Sequence, residues 1–283
     1  MFAYWLLIAA RRFLLLLPER IARTLGLWAG EAAFALDRRH RRVALENLRH
    51  AFPERSPAAL RAIARNSFRC AGRTAVEFFR VSALLRSSWK KRFLIVGEER
   101  IGGAIRKGKG IIFILAHFGN WEYLAFVPRL LGFRGSAVGQ EIKNPAVDGL
   151  VKDLREEMGL DLFPKGEVVS AILGYLSRNG AVAILADQRA RRMSVQVSFF
   201  GRKVEATAGP AVLALRSGAA LLPIFLCPEG DLYRVEVKQE IPVPRDLPPG
   251  AAVEETTRRI AAVIEEVIRG RPELWLWGHR RWK

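Results

Sequence analysis

The chain has 283 residues, half of them hydrophobic, and 46 basic against 28 acidic residues give a formal net charge of +18. That composition excludes wholesale disorder and leaves room for one large domain or two closely packed ones. The charge says nothing of fold but favours an anionic partner, whether nucleic acid, an acidic membrane surface or a phosphorylated substrate. The two cysteines, Cys70 and Cys227, stand far apart in no metal-like spacing, so they are expected to be reduced in a cytoplasmic setting.

The first segment is rich in Leu, Trp and Phe, but Arg11, Arg12, Arg20 and Arg23 interrupt it. No run approaches the roughly 20 apolar residues of a conventional span. No basic stretch with a small-x-small cleavage site marks a removable leader. Arginines mixed with Trp5 and Trp28 predict an interfacial or membrane-anchoring helical segment over residues 1–35, its guanidinium groups among anionic headgroups. The alternatives are an amphipathic helix packed on the protein and a single crossing. Residues 36–94 read as a helical region. There Ser56 and Pro57 form an N-cap and first-turn pair, and Leu60, Ile63, Ala64 and Phe68 follow at helical spacing.

Residues 95–283 alternate strands and helices. "GIIFILA" from Gly110 is a buried strand. Asn144 and Pro145 open a helix carrying Val147, Leu150, Val151, Leu154 and Met158, which Gly159 ends. A helix from about Glu167 to Asn179 leads to the buried strand "AVAILAD". A short helix runs from Pro210 to Gly218, and "ALLPIFLC" and "LYRVEVKQE" follow as strands. A last helix spans about Val253 to Ile268. Short connections between alternating elements predict an α/β layer structure.

"HFGNWE" stands where the first buried strand ends, which in open α/β sheets is the usual ligand site. Across a strand-to-helix turn Glu122 can accept a hydrogen bond from one ring nitrogen of His117, leaving the other as a base. No serine or cysteine adjoins the histidine, so the nucleophile would be an acceptor's own hydroxyl. Backbone N–H groups at the helix start would steady an oxyanion. On spacing alone the plainer reading, a satisfied buried histidine beside an exposed glutamate, carries more weight. Zinc is disfavoured, since His40, His50 and His279 are distant in sequence, and no metal or other cofactor is expected.

The H-x4-E motif resembles that of the bacterial lipid A biosynthesis (late) acyltransferases, relatives of the H-x4-D/E glycerolipid acyltransferases. The likeness extends through "RRVALENLRHAFPE" (Arg41 to Glu54), "NPAVDGLVKDLREEMGLDLFPKG", "ILADQR", "FFGRKVEATAGPAVLALRSGAALLPIF" and the closing "PELWLWGHRRWK", covering nearly the whole chain in order. It implies a mixed central sheet flanked by helices behind a membrane-associating N-terminal segment, at the cytoplasmic face of a bacterial inner membrane.

The resemblance makes His117 the general base and Glu122 its partner. It implies an acyl carrier protein thioester as donor, a hydroxyl of a Kdo-bearing lipid A precursor as acceptor, and membrane lipids as neighbours. Asn120, Lys165, Asp187, Gln188 and Arg189 become candidates for substrate contact. Lys165 falls where relatives carry a phosphate-contacting basic residue, although a solvated loop lysine reads equally well. Asp187 ends a buried strand and is expected to organise the cleft, with Gln188 and Arg189 at its rim. Arg280 and Arg281 read as phosphate or core contacts. One departure bears on the acceptor: where relatives carry Tyr-Arg-Pro, this chain has Gly139, Gln140 and Glu141, with Lys143 close by. Another glycolipid, such as a mannosylated inositol lipid, is therefore the alternative acceptor. A nucleic-acid-binding protein is the alternative class, but the spread-out basic residues carry no recognisable binding motif.

Overall fold

The computed structural model describes residues 2–138, 142, 144–163, 168–190 and 193–282. Five helices come first: α1 (Phe2–Leu16), α2 (Glu19–Leu36), α3 (Arg38–Ala51), α4 (Pro57–Phe79) and α5 (Val81–Leu85). Local chemistry sets their starts. The Asp37 carboxylate accepts from the backbone N–H of His40 at the head of α3. Ser56 Oγ accepts from Ala59 N at 3.2 Å at the head of α4, with Pro57 in the first turn. Gly26, Gly30 and Gly72 let α2 and α4 meet at backbone distance. A Cβ on Gly30 would run into the Phe68 carbonyl, and one on Gly72 into that of Gly26.

Two of the four arginines that interrupt the N-terminal segment, Arg11 and Arg23, have protein partners, whereas Arg12 and Arg20 are exposed. Arg23, 8% exposed, donates to Glu77 at 3.0 Å, Asp231 at 2.6 Å and the Tyr233 hydroxyl at 2.8 Å. Arg11 donates to Ser82 at 2.7 Å and lies 3.6 Å from Glu157. Among the described residues no helix is long and apolar enough to cross a membrane. This corrects the membrane-anchoring reading of residues 1–35, and the inner-membrane placement, so far as either needed a crossing. The physical reason lies in the sequence itself: α1 has 15 residues, about 22 Å of helix against a hydrocarbon core of about 30 Å, and charge follows on both sides of the break at Pro18.

The remaining elements are β1 (Phe93–Val96), α6 (Glu98–Arg106), β2 (Ile111–Leu115), α7 (Phe126–Leu131), β3 (Gly135–Val138), α8 (Pro145–Met158), β4 (Leu160–Leu162), α9 (Val168–Ser177), β5 (Ala181–Leu185), β6 (Ser194–Phe199), β7 (Arg202–Thr207), α10 (Gly209–Ser217), β8 (Ala220–Glu229), β9 (Leu232–Val237) and α11 (Pro249–Gly270). Seven strands form a mixed sheet in the order β1-β9-β8-β2-β5-β3-β4, in which only β8 and β9 pair antiparallel; β6 and β7 form a separate hairpin. The architecture is thus α/β, a mixed central sheet flanked by helices.

β2 is buried along its whole length, as a central parallel strand covered on both faces should be. Its alternate residues serve two cores. Ile112 and Ile114 pack with Leu48, Ile63 and the C-terminal Trp275 and Trp277. Ile111, Phe113 and Leu115 pack on the face covered by α7 and α8, with Phe126, Leu154 and Met158.

The close α2–α4 contact should make Gly30→Val destabilising by about 3 kcal/mol, because the added carbons have only backbone to displace. Chemical denaturation of the variant and parent checks this; equal midpoints would show that the helices are not in backbone contact.

Candidate active site

His117 lies two residues beyond the end of β2, and Asp187 lies two residues beyond the end of β5. The two strands are parallel neighbours, with Leu115 paired to Leu185. The register therefore brings the histidine and the aspartate side by side. Nδ1–H of His117 donates to Asp187 Oδ1 at 2.9 Å. Asp187 Oδ2 accepts from the His117 backbone N–H at 3.0 Å and from the Trp275 indole at 2.8 Å. The hydrogen bond expected from Glu122 is made by Asp187 instead. With Nδ1 carrying the proton, Nε2 is left as the basic nitrogen.

Burial, the largest influence, pulls the imidazolium of His117 toward neutrality, but the charge and hydrogen bond of Asp187 outweigh it. The histidine pKa is raised above its ordinary value. Burial likewise pushes the Asp187 carboxyl up, and its bonds to His117 and Trp275 bring it below the usual carboxylate range. Trp121 packs edge-on against the His117 ring at 5.1 Å, and the Gln188 amide nitrogen lies 3.3 and 3.4 Å from its two nitrogens.

Glu122 faces the same cavity as His117 but is held by Arg155 of α8, at 2.9 Å from Nη2 and 3.2 Å from Nε, and by the Trp121 indole at 3.2 Å. The Glu122 carboxylate raises the pKa of His117 through space and the Arg155 guanidinium lowers it, so the pair acts on the ring with opposite signs. Glu122 precedes α7 in a 3-10 turn (Trp121–Ala125), and α7 itself has six residues. The helix expected to begin just after His117 thus starts as a 3-10 turn that runs into the short α7.

The cavity has a volume of about 980 Å³. His117, Glu122, Arg155, Gln188, Arg189 and His279 line its polar end. Its apolar end runs between the sheet and the segment Leu124, Ala125, Val127 and Pro128, which includes the apolar run after the motif.

Asn120 is fully buried beneath the site. Its side-chain oxygen accepts from Tyr123 N at 3.2 Å and its amide donates to Glu77 Oε2 at 2.7 Å. Lys165, and the departure at Gly139, Gln140, Glu141 and Lys143, lie outside the described residues.

The His117–Asn120 turn is braced from two sides. Gly119 donates to the Leu274 carbonyl at 2.9 Å and its own carbonyl accepts from Thr74 at 3.0 Å, while Leu276 N donates to the His117 carbonyl at 3.0 Å. Gly119 has φ of 57° and sits where a Cβ would overlap the Leu226 carbonyl, so only glycine suits the turn. Below it, Glu77 is 3% exposed and accepts from Arg23, Arg73 at 2.8 Å, Tyr233 at 3.0 Å and Asn120. Asn47, from the "ENLRHAFPE" segment, donates to the Trp277 and His279 carbonyls at 2.8 and 2.7 Å, and Ser67 donates to that of Trp275. Arg281 is a core contact, 2% exposed, donating to the Glu205 carbonyl at 2.8 Å; burial lowers its pKa to about 10, partly offset by Asp187. Arg280 is exposed.

Sequence reasoning missed Arg155, Trp275 and Glu77. It read Asp187 as an organiser of the cleft without its bond to the histidine. A signal for that bond exists: Ile-Leu-Ala-His (Ile114–His117) and Ile-Leu-Ala-Asp (Ile184–Asp187) are matched strand ends, as parallel in-register neighbours require. Nothing comparable marks Arg155.

The α/β fold and the H-x4-E motif at the mouth of an apolar cavity are those expected of a lipid acyltransferase. The chain belongs to the bacterial lipid A biosynthesis acyltransferase family, whose profile matches residues 1–283. That membership supports O-acyltransferase activity. Among known proteins, the chain is 26% identical to the lipid A biosynthesis lauroyltransferase of Escherichia coli K12 over 291 aligned positions, covering 99% of this chain and 90% of that one. It is 27% identical to the palmitoleoyltransferase of the same organism over 94% of this chain and 86% of that one. It is also 28% identical to the phosphatidylinositol mannoside acyltransferase of Mycolicibacterium smegmatis over 58% of this chain; the match to that relative spans 56% of its length, and to its Mycobacterium tuberculosis counterpart 52%.

Removing Glu77 would take the carboxylate partner from half-buried Arg73 and from the Asn120 amide, and would leave Arg23 with Asp231 and Glu19. Glu77→Ala should cost about 3–5 kcal/mol of stability, read by denaturant unfolding. A loss within about 0.5 kcal/mol, the range of ordinary surface substitutions, would contradict the hub.

Proposed function

We propose that the protein transfers a fatty acyl chain from an acyl carrier protein thioester to a hydroxyl of a phosphorylated glycolipid, with a Kdo-bearing lipid A precursor as the leading acceptor. The observation that carries the reading is the His117 ring, held by Asp187 on one side and facing a deep apolar cavity on the other. Nε2 of His117 takes the proton of the acceptor hydroxyl as its oxygen attacks the thioester carbonyl carbon. The tetrahedral intermediate collapses with cleavage of the C–S bond, and the departing thiolate receives that proton from the imidazolium. Asp187 keeps Nδ1 protonated and steadies the imidazolium without taking the proton. Glu122 acts through space, its charge balanced by Arg155, and Gln188 and Arg189 stand where an acceptor headgroup would enter. The positive charge of the whole chain favours a donor protein and an acceptor that are both anionic.

A mannosylated inositol lipid is the second reading of the acceptor, favoured by the likeness to the phosphatidylinositol mannoside acyltransferases. Both acceptors use the same base and differ in headgroup, so offering each with one donor separates them. The leading reading expects a product heavier by one acyl group on the lipid A precursor. Transfer only to the inositol lipid would replace that acceptor and keep the chemistry.

His117→Ala should lower kcat by roughly 10² to 10⁴-fold with folding retained. Asp187→Asn should fall in the same range, because the wrong ring nitrogen then carries the proton. A folded His117→Ala variant that turns over at the parent rate would sink the mechanism. Glu122→Gln leaves Arg155 cationic and unpaired beside the base, and adding Arg155→Gln should restore part of the lost activity. A double-mutant cycle in kcat/KM reads that coupling; strictly multiplicative losses would mean the pair does not act on the base jointly.

The free base is the active form, so kcat/KM should fall as the pH drops through the His117 pKa. Because Asp187 raises that pKa, the acid limb should lie above the ordinary imidazole value of about 6.5. In Asp187→Asn burial is opposed by Glu122 alone, itself countered by Arg155, and the limb of the residual activity should move to lower pH. An unmoved limb would assign it to another group.

A further inference from the structure

The first two backbone N–H groups after His117 are already in use, so neither is free to steady an oxyanion. Phe118 donates to the Ala116 carbonyl at 2.7 Å and Gly119 to the Leu274 carbonyl at 2.9 Å. Most side chains at the polar end of the cavity are committed as well. Glu122 and Arg155 hold each other, the Gln188 amide is turned toward the His117 ring, and Arg189 stands out in solvent. His279 differs from these. It lines the same end from the C-terminal segment, and neither of its ring nitrogens is bonded to a described residue.

The surroundings of that ring decide where its proton sits. Nδ1 of His279 is shut off from solvent with nothing to receive a hydrogen bond, so a proton there would be a buried, unmet donor. The neutral ring therefore carries its proton on Nε2, at the outer tip turned to the cavity. Burial lowers the His279 pKa below its ordinary value; Asp187 opposes that, and His117 and Arg281 reinforce it, so the ring is neutral near pH 7. Neutrality suits its place, because a second charged ring would oppose the imidazolium that forms when His117 takes a proton. The backbone beneath the ring is held: the Asn47 amide and the Arg281 N–H both donate to the His279 carbonyl, at 2.7 and 2.9 Å.

Resting on the acyl-transfer reading, we infer that His279 is a second catalytic histidine, a neutral ring whose Nε2–H donates to the thioester carbonyl oxygen. As the acceptor oxygen bonds to the carbonyl carbon, negative charge builds on the carbonyl oxygen and the hydrogen bond from Nε2 strengthens. When the C–S bond breaks, the C=O bond re-forms and that charge leaves with the thiolate. His279 keeps its proton throughout, and the proton that passes from the acceptor hydroxyl to the thiolate is carried by His117 alone.

The test measures kcat, and KM for the acyl carrier protein thioester and the acceptor, in the parent, His279→Ala, His279→Asn and His279→Gln. His279→Ala should lower kcat by roughly 10² to 10³-fold and leave the acceptor KM nearly unchanged. A glutamine amide reaches about where Nε2 stood and an asparagine amide about where Nδ1 stood, so His279→Gln should exceed His279→Asn in kcat by about tenfold. That comparison decides the matter even where His279→Ala fails to fold. A folded His279→Ala with the parent kcat, or His279→Gln no faster than His279→Asn, would overturn the inference and leave acyl transfer standing. So would a loss confined to the acceptor KM, which would make His279 a headgroup contact. A parent that transfers no acyl chain would overturn the underlying reading, and the inference with it.

Discussion

A carboxylate buried as deeply as Asp187 raises the free energy of folding unless donors replace the water it loses. Three N–H groups do so: the His117 ring, the His117 backbone and the Trp275 indole. Each donor comes from a different part of the architecture or ties two parts together. The parallel register of β2 and β5 brings the histidine, and the C-terminal segment brings the tryptophan. Remove the carboxylate and the histidine loses its tautomer, the strand end loses its anchor and the C-terminal segment loses its bond to the sheet. The site and this part of the fold therefore share one electrostatic constraint.

Glu77 plays the matching part on the other side of the His117–Asn120 turn. There the buried charge is met by arginines from α2 and α4 and by the Asn120 amide, so the helices ahead of the sheet support the motif and are more than an appendage to it. Asn47 and Ser67 extend the same arrangement by holding the carbonyls of the C-terminal segment. A turn fixed from below by α4 and from the side by Leu274 and Leu276 has little freedom, which is what the base proposed above would need for proton transfer. The strongly basic composition is partly spent internally on these networks. Arg23 and Arg73 bind Glu77, Arg155 binds Glu122 and Arg281 is packed in the core.

What the sequence disclosed was the chemistry that is local. Ser56 and Pro57 mark the start of α4, Asn144 and Pro145 the start of α8 and Gly159 its end, because cap geometry depends on neighbouring residues. His117 could be picked out because a polar residue closes a buried strand. Its hydrogen-bond partner could not be read from proximity along the chain. Glu122 is five residues away and faces Arg155, while Asp187 is seventy residues away and adjacent in space, a relation fixed by strand pairing. The N-terminal segment misled for a related reason. Arginines among apolar residues look the same whether they meet headgroups or partners such as Glu77 and Glu157, and only tertiary packing distinguishes the two. Asn120 was visible as part of a motif, yet its burial and its bond to Glu77 depend on where α4 lies.

The arrangement of proton and charge around His117 is open to direct observation. Nitrogen NMR of the imidazole, followed as a function of pH in the parent and in Asp187→Asn, reports which ring nitrogen carries the proton and where the ring titrates. The account predicts a neutral ring protonated on Nδ1, with a pKa above the ordinary imidazole value that falls when Asp187 becomes asparagine. A neutral ring protonated on Nε2, or a pKa indifferent to the loss of the Asp187 charge, would contradict it.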